Sequence, residues 1–509
     1  MLNRPHALQA AAVALLASAC STATNYHLVA NDDALKVLIT NAPPTDWSQR
    51  AFDDTQWQSV PAGGTVGPLA ADAQGAMPSV CARRRFDLGP QADAYHTLSL
   101  QVNTTGTWIA YLNGAQVAQS NGRGAQTSLA VPSGTLSPSG NILAIEVHPP
   151  AGTTDLRIEP VLDGQPDPAG TGAPRIVLGP YLVSPSLTGT TIVWETDQAV
   201  ASQAIVDGKA YDGGSATHHQ VRVTDLEASK SYPYHVEAGA LKSEEAQLTT
   251  AAKPGERIRF VVYGDNRTDG DAHRRVVEQI EGEGPDFVIN TGDLVDSSSS
   301  AEWDTFFNIE YSLIRRVPLF ATIGNHETTG AQGASRFPIL FPVDDRAANA
   351  GGQVYGADFG DVHLAALDSN GDLGAQGKWL DQDLTQAEAR GAKHLFVYLH
   401  WGPFSSGTSA AHGSNGAARS AIVPVAKAHR VDAIFSGHDH FYERGASGTL
   451  PYFVTGGGGA PLDSAGRIAE TLVTKSVHHY LVVDVAASQV DVVAKDLSGT
   501  PFDQLTLSR

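Results

Sequence analysis

"VVYGDNRT", residues 261–268, is an apolar run that stops abruptly on Gly264, Asp265, Asn266 and Arg267. A strand of that composition is built for burial, and nothing in its packing calls for a charged tip. The same ending recurs downstream: "DFVINT" runs into Gly292-Asp293, "LFATI" into Gly324-Asn325-His326-Glu327, "HLFVYL" into His400, and "DAIFS" into Gly437-His438-Asp439-His440. Helical patterns separate these strands at "DAHRRVVEQIEG", "SAEWDTFFNIEYSLIRR", "QGKWLDQDLTQAEARG" and "ARSAIVPVAKAHR". Strands alternating with helices predict an α/β domain over residues 256–497.

In open α/β sheets, ligands collect at the carboxyl ends of strands, so these five polar clusters should meet at one rim. Taken singly none decides anything, because Gly-Asp after a strand is a common turn and a lone histidine is commonly a satisfied polar residue. Taken as an ordered set, Asp265, Asp293, Asn325, His400, His438 and His440 bring two carboxylates, an amide and three imidazoles together. An apolar core would not tolerate that set unpaired, which points to a metal site.

The rest of the chain is organised differently. With 509 residues and 42% apolar composition it exceeds what one core supports, so several domains are expected. Residues 26–163 show short β-rich runs such as "HTLSLQVN", "GTWIAYLNGAQVA" and "NILAIEVH" between Gly, Pro, Ser and Asn clusters, the pattern of an all-β sandwich. "DGQPDPAGTGAPR", residues 163–175, reads as a linker, and residues 175–250 return to short strands at sandwich spacing, with Trp194 as a core anchor. His218 and His219 read there as solvated edge residues, and His478 and His479 near the end as surface residues.

The N-terminus reads as an address. In "MLNRPHALQAAAVALLASAC" a start carrying Arg4 precedes an apolar stretch and small residues leading to Cys20, the organisation of a signal peptide over residues 1–20. The "LASAC" ending resembles a bacterial lipobox, which implies an exported, periplasmic or cell-surface protein anchored by lipid on Cys20; plain secretion and an uncleaved anchor are the alternatives. With two cysteines in all, a lipidated Cys20 leaves Cys81 without a partner and the chain without a disulfide framework. The balance of 54 acidic against 34 basic residues gives a formal charge of -20 with no basic block, which argues against an electrostatic platform for nucleic acid or anionic lipid. Membrane contact is expected only through the lipid anchor.

The order Asp, "GD", "GNH", His, "GHxH" resembles the calcineurin-like metallophosphoesterases. "VDAIFSGHDHFYER" and "ATIGNHE", with a fibronectin type III-like module upstream, are similar to the purple acid phosphatase branch over about residues 175–497. Residues 26–163 resemble the galactose-binding-like jelly rolls of secreted hydrolases; the module reads first as a spacer or packing unit, with a glycan partner as the alternative. The fold class implied is multidomain: two all-β sandwiches, then an α/β metallophosphoesterase domain in which a β-sandwich is flanked by helices.

The resemblance also implies roles. Two divalent or trivalent metal ions would sit about 3.5 Å apart, bridged by Asp293, with Asp265 and His440 completing the first site and Asn325, His400 and His438 holding the second. A metal-bound hydroxide would attack a phosphate ester in line, with His326 stabilising phosphate or protonating the leaving oxygen. Two positions depart from the pattern. Where most of the superfamily has histidine two residues after the first aspartate this chain has Arg267, and where purple enzymes have tyrosine it has Asp296. The expectation is that Asp296 ligates the first metal, directly or through water, with an open, solvent-filled position as the alternative, and that Arg267 clamps phosphate, with a structural ion pair as the alternative. His412, in the loop "SSGTSAAHGSNG", is a candidate substrate-facing residue, with a solvated loop histidine as the alternative, and "TGGGGAP", residues 455–461, lacks the lysine of a phosphate loop and reads as backbone passing close to the site. Phosphomonoester hydrolysis is the leading activity, phosphodiester hydrolysis on the same metals the runner-up, and a glycan-binding lipoprotein with a degenerate catalytic domain the reading from another class.

Overall fold

Strict alternation in Thr97–Thr104 buries Leu98, Leu100 and Val102 on one face, and the same period in Thr107–Leu112 buries Trp108, Ala110 and Leu112. These faces meet between a four-stranded and a six-stranded sheet, so the first domain is a β-sandwich with one continuous apolar core. The computed structural model describes residues 26–29, 35–60, 64–120, 127–132, 134–164, 166, 173–343, 353–408 and 412–508. The expected signal segment with Cys20 and most of the expected linker lie outside the described residues. Cys81 is a buried free thiol, pushed up to about 12 by burial.

The second domain, from Ile176–Ser186 to Ala246–Thr249, is a six-stranded antiparallel arrangement around Trp194, whose indole N–H donates to Ser202 Oγ at 2.9 Å. His219 corrects its expected place: it is buried against the Trp194 ring at a centroid distance of 5.0 Å, while His218 pairs with Glu195 at 2.8 Å.

The third domain places the site. One sheet carries Ile258–Tyr263, Phe287–Asn290 and Leu319–Ala321 in parallel, continued by three antiparallel C-terminal strands. The last of these, Pro501–Ser508, extends the domain past residue 497. A seven-stranded sheet carries His394–Leu399 and Ala433–Ser436, also parallel. Phe260, Phe287 and Phe320 of the first sheet pack on Phe396, Tyr398 and Phe435 of the second, so the α/β domain is a sandwich. Helices cover its outer faces. Gly270–Glu283 starts at Asp269, whose carboxylate accepts the N–H groups of Asp271 and Ala272, and stops at Gly284 with φ 61°. Ser300–Ile314 buries Trp303, Phe306 and Phe307 against the same sheet.

The three domains share surfaces. Arg274 Nε pairs with Asp87 Oδ2 at 2.6 Å and Arg84 pairs with Asp271, tying the first sandwich to the helix that follows Ile258–Tyr263. Tyr181 and Val193 of the second sandwich join the apolar core beneath Ser300–Ile314. Among the described residues no helix is long and apolar enough to cross a membrane.

Candidate metal centre

Each parallel strand ends where its sheet can no longer pair, and the chain turns sharply there. Asp265, Asp293 and His438 all take left-handed backbone, with φ of 57°, 54° and 73°. Three non-glycine residues in that region mark backbone held by its surroundings for the sake of side-chain placement. The loops brace one another: Asp265 N–H donates to Gly292 O at 2.9 Å, Asn266 N–H to Asp293 O at 3.0 Å, and Gly437 N–H to His400 O at 2.9 Å. The glycines leave room for the ligands. A Cβ on Gly324 would lie 2.1 Å from Asp293 Oδ1, and one on Gly437 would lie 2.2 Å from Asp265 Oδ2.

The carboxylates and the amide come from one sheet and the imidazoles from the other, so the site lies across the edge of the sandwich. Asn325 Oδ1 is 3.1 Å from His400 Nε2 and 3.1 Å from His438 Nδ1; the two ring nitrogens are 3.2 Å apart, and Asp293 Oδ1 is 3.3 Å from His400 Nε2. His400 Nδ1 donates to the carbonyl of Thr291 at 3.0 Å, so in the neutral ring Nε2 turns a lone pair toward the others. Donor atoms about 2.0–2.1 Å from one cation lie about 2.9–3.4 Å from their neighbours. The observed spacings fall within that range, and the donor set of oxygen and imidazole suits a transition or other divalent metal. Asp265 closes the group, with one ligand atom each from Asp265, Asp293 and His400 within 4.8 Å of one another, all three residues buried.

Without a cation, protons must balance the charge. Burial pushes the Asp265 carboxyl up to about 8, with His400 and Arg267 pulling the other way. Burial alone would lower His400, but Asp293 and Asp265 beside it push it up to about 10. Burial also opposes ionisation of Asp293, yet His400 and His326 hold it well below the usual carboxylate range. Glu327, pushed up to about 7 by burial and Asp293, accepts the N–H of Gly324 at 2.7 Å, of Asp293 at 3.0 Å and of Val295 at 3.1 Å. It braces two ligand loops, a role that its place in "GNHE" did not reveal.

The remaining candidates surround this group. His326 donates from Nδ1 to Asp296 O at 2.7 Å, with Nε2 3.8 Å from Asp293 Oδ2. His412 Nδ1 sits between Asp439 Oδ1 at 3.0 Å and Asp463 Oδ2 at 2.9 Å, and its ring is 5.0 Å from that of His438. Asp463 was not singled out in the sequence. His440 donates from Nδ1 to Pro461 O at 2.9 Å and its Nε2 lies 3.6 Å from Asp265 Oδ1. Asp296 is half exposed and is paired with Arg267 Nη1 at 2.8 Å. The glycine run packs under the opening loop, Gly458 N–H donating to Gly264 O at 2.9 Å. His479, expected at the surface, is fully buried and held at about 4 by burial, which is a correction. A cavity of about 270 Å³ opens beside Arg267 and Asp296, lined by Leu294, Glu302, Thr305 and Phe306.

A family model described as calcineurin-like phosphoesterase matches residues 258–442. Purple acid phosphatase 1 of Ipomoea batatas is 27% identical over 266 residues, 48% of this chain and 56% of that protein. Purple acid phosphatase 4 of Arabidopsis thaliana is 25% identical over 310 residues, 53% of this chain and 90% of that protein. The chain spans about half the length of several of the curated relatives it matches. The structure of purple acid phosphatase PPD1 from yellow lupin (Lupinus luteus) seeds aligns with a TM-score of 0.62 at 14% identity, covering 87% of this chain and 95% of that one, a likeness of fold.

Proposed function

We propose that this chain, which carries a calcineurin-like metallophosphoesterase domain of the purple acid phosphatase-like branch, is a metal-dependent phosphoric ester hydrolase acting on phosphomonoesters. The observation that carries this reading is the convergence of Asp293 Oδ1, Asn325 Oδ1, His400 Nε2 and His438 Nδ1 at spacings that suit one cation. When bound, such a cation supplies the charge that polarises a phosphoryl group and acidifies water.

The chain's own groups do the rest. Arg267 offers a permanent positive charge toward phosphate oxygens, and its planar fork matches two of them at once. His326, with Nδ1 committed to Asp296 O, keeps Nε2 for a proton exchanged with the leaving oxygen. His412, fixed between Asp439 and Asp463, stands beside His438 as a further donor to a bound ester. The cavity lined by Leu294, Thr305 and Phe306 would take the organic part of the ester.

A panel of phosphomonoesters and phosphodiesters, assayed with and without added metal, tests the reading. Turnover of monoesters that depends on metal supports it, and preferential turnover of diesters would shift it to the related activity. We further place the chain at the bacterial envelope, anchored at Cys20, from the signal-like residues 1–20. Cys20→Ser should move it from the membrane fraction to the soluble one, and persistence in the membrane would overturn that placement.

A further inference from the structure

The position that the family pattern gives to the first metal does not fit a metal in this chain. Asp293 Oδ2, Asp296 Oδ1 and His440 Nε2, three groups expected to converge on a cation, each face a different nitrogen of the Arg267 guanidinium. Nε is 3.3 Å from Asp293 Oδ2, Nη1 is 2.8 Å from Asp296 Oδ1, and Nη2 is 3.4 Å from His440 Nε2. His440 is oriented for this, since its Nδ1 donates to Pro461 O and leaves Nε2 as the acceptor. The Arg267 side chain is only 15% exposed, so the guanidinium lies inside the site.

We propose that Arg267 takes the place of the first metal, so that the centre holds a single exchangeable cation beside a built-in guanidinium. The two departures from the family pattern are then one change. An arginine where histidine is usual brings the positive charge, and an aspartate where tyrosine is usual pairs with it. A guanidinium cannot lose its proton in a protein, so the charge is present at every working pH. A metal ion could enter only by expelling Arg267 from Asp296 and Asp293, and would then stand next to a like charge. On the other side of Asp293, Asn325, His400 and His438 present no permanent cation, since an imidazole can give up its proton to an entering metal as a guanidinium cannot, and their spacings suit a metal. Asp293 therefore still bridges two positive charges, one exchangeable and one covalently part of the chain. A guanidinium carries five N–H groups, more than these three contacts use, so it also has donors left for a phosphate oxygen, which a bare ion does not.

The proposal rests on the metal-dependent reading of the same site, and metal stoichiometry separates the two. The full chain is stripped with chelator, equilibrated with Mn²⁺ and measured by elemental analysis and electron paramagnetic resonance. Wild type should hold about one Mn²⁺ per chain with the spectrum of isolated ions, and Arg267→Ala or Arg267→His should hold about two with the spectrum of a coupled pair. Arg267→Lys, which keeps a charge, should stay near one. The wild-type measurement alone decides if the variants fail to fold. Two ions in wild type, or one ion in every variant, would overturn the proposal. No bound metal in wild type would overturn the metal-dependent function as well.

Discussion

Glu327 Oε2 accepts the backbone N–H of Asp293 at 3.0 Å, so a residue two positions after one ligand holds the loop of another. The same oxygen accepts Gly324 N–H at 2.7 Å and the other oxygen accepts Val295 N–H at 3.1 Å. A carboxamide has one acceptor oxygen and would set an N–H against a donor. Glu327→Gln should therefore lower metal affinity about 10–100-fold, as loss of a ligand-orienting group commonly does. Metal titration followed by calorimetry measures it, and an unchanged affinity would remove Glu327 from this role.

Asp265 and Glu327, pushed up to about 8 and about 7, hold protons in the metal-free folded chain that the unfolded chain has released. The stability of the chelated protein should therefore fall as pH rises from about 5 to about 8. His400, pushed up to about 10, acts in the same direction: its contribution is complete below its ordinary value and is lost as pH rises through the folded one. Asp293, held low, contributes above the usual carboxylate range and is constant across this window. Melting curves should show Tm dropping between about pH 5.5 and pH 9, and added metal should remove most of the drop, since a cation replaces those protons. A Tm that rises over that range without metal would contradict these assignments.

Gly437 has no room for a side chain, because its Cβ would lie 2.2 Å from Asp265 Oδ2. Gly437→Ala should displace Asp265 and lose metal, while the N-terminal sandwich, which has its own apolar core, stays folded. Retained metal with normal turnover would show that the loop accommodates the methyl group.

His326→Ala should slow hydrolysis of alkyl phosphates by about 10²–10⁴-fold and of aryl phosphates much less, because proton donation matters most where the departing oxygen is basic. Equal losses across a leaving-group series would assign His326 to phosphate positioning instead.

Thr305 lines the cavity beside Arg267 and Asp296. Thr305→Trp should raise KM for bulky esters about tenfold or more with little change for the smallest ones, as expected when a filled pocket excludes only the larger substrate. Equal effects on both would detach the cavity from substrate binding.

Much of this site was legible in the sequence, because strands buried on both faces write continuous apolar runs and the residue after each run must be polar to leave the core. "IRFVVY" became Ile258–Tyr263, and the six ligand candidates behind the five strands gather at one edge. Other features depend on contacts distant in the chain. Glu327 looked like an ordinary acid until its three backbone donors were in place, and Asp463 until His412 lay against it. His219 and His479 carry no sign in their neighbours of the Trp194 ring or the buried pocket that encloses them. Arg267 turns back into the site, where Asp296 and His440, up to 173 positions away, accept from its two Nη atoms and the Asp293 carboxylate lies 3.3 Å from Nε as a charge contact. The left-handed backbone at Asp265, Asp293 and His438 uses residue types that tolerate it, but it goes together with hydrogen bonds between loops distant in the chain.

The most direct test of the central claim is hydrolysis of p-nitrophenyl phosphate by chelated protein during metal titration, beside the His400→Ala and His438→Ala variants. The account predicts that activity disappears with the metal, returns in wild type on titration, and fails to return in either variant although both keep the wild-type fold by circular dichroism. Hydrolysis that survives complete metal removal, or that metal restores equally in the two variants, would contradict it.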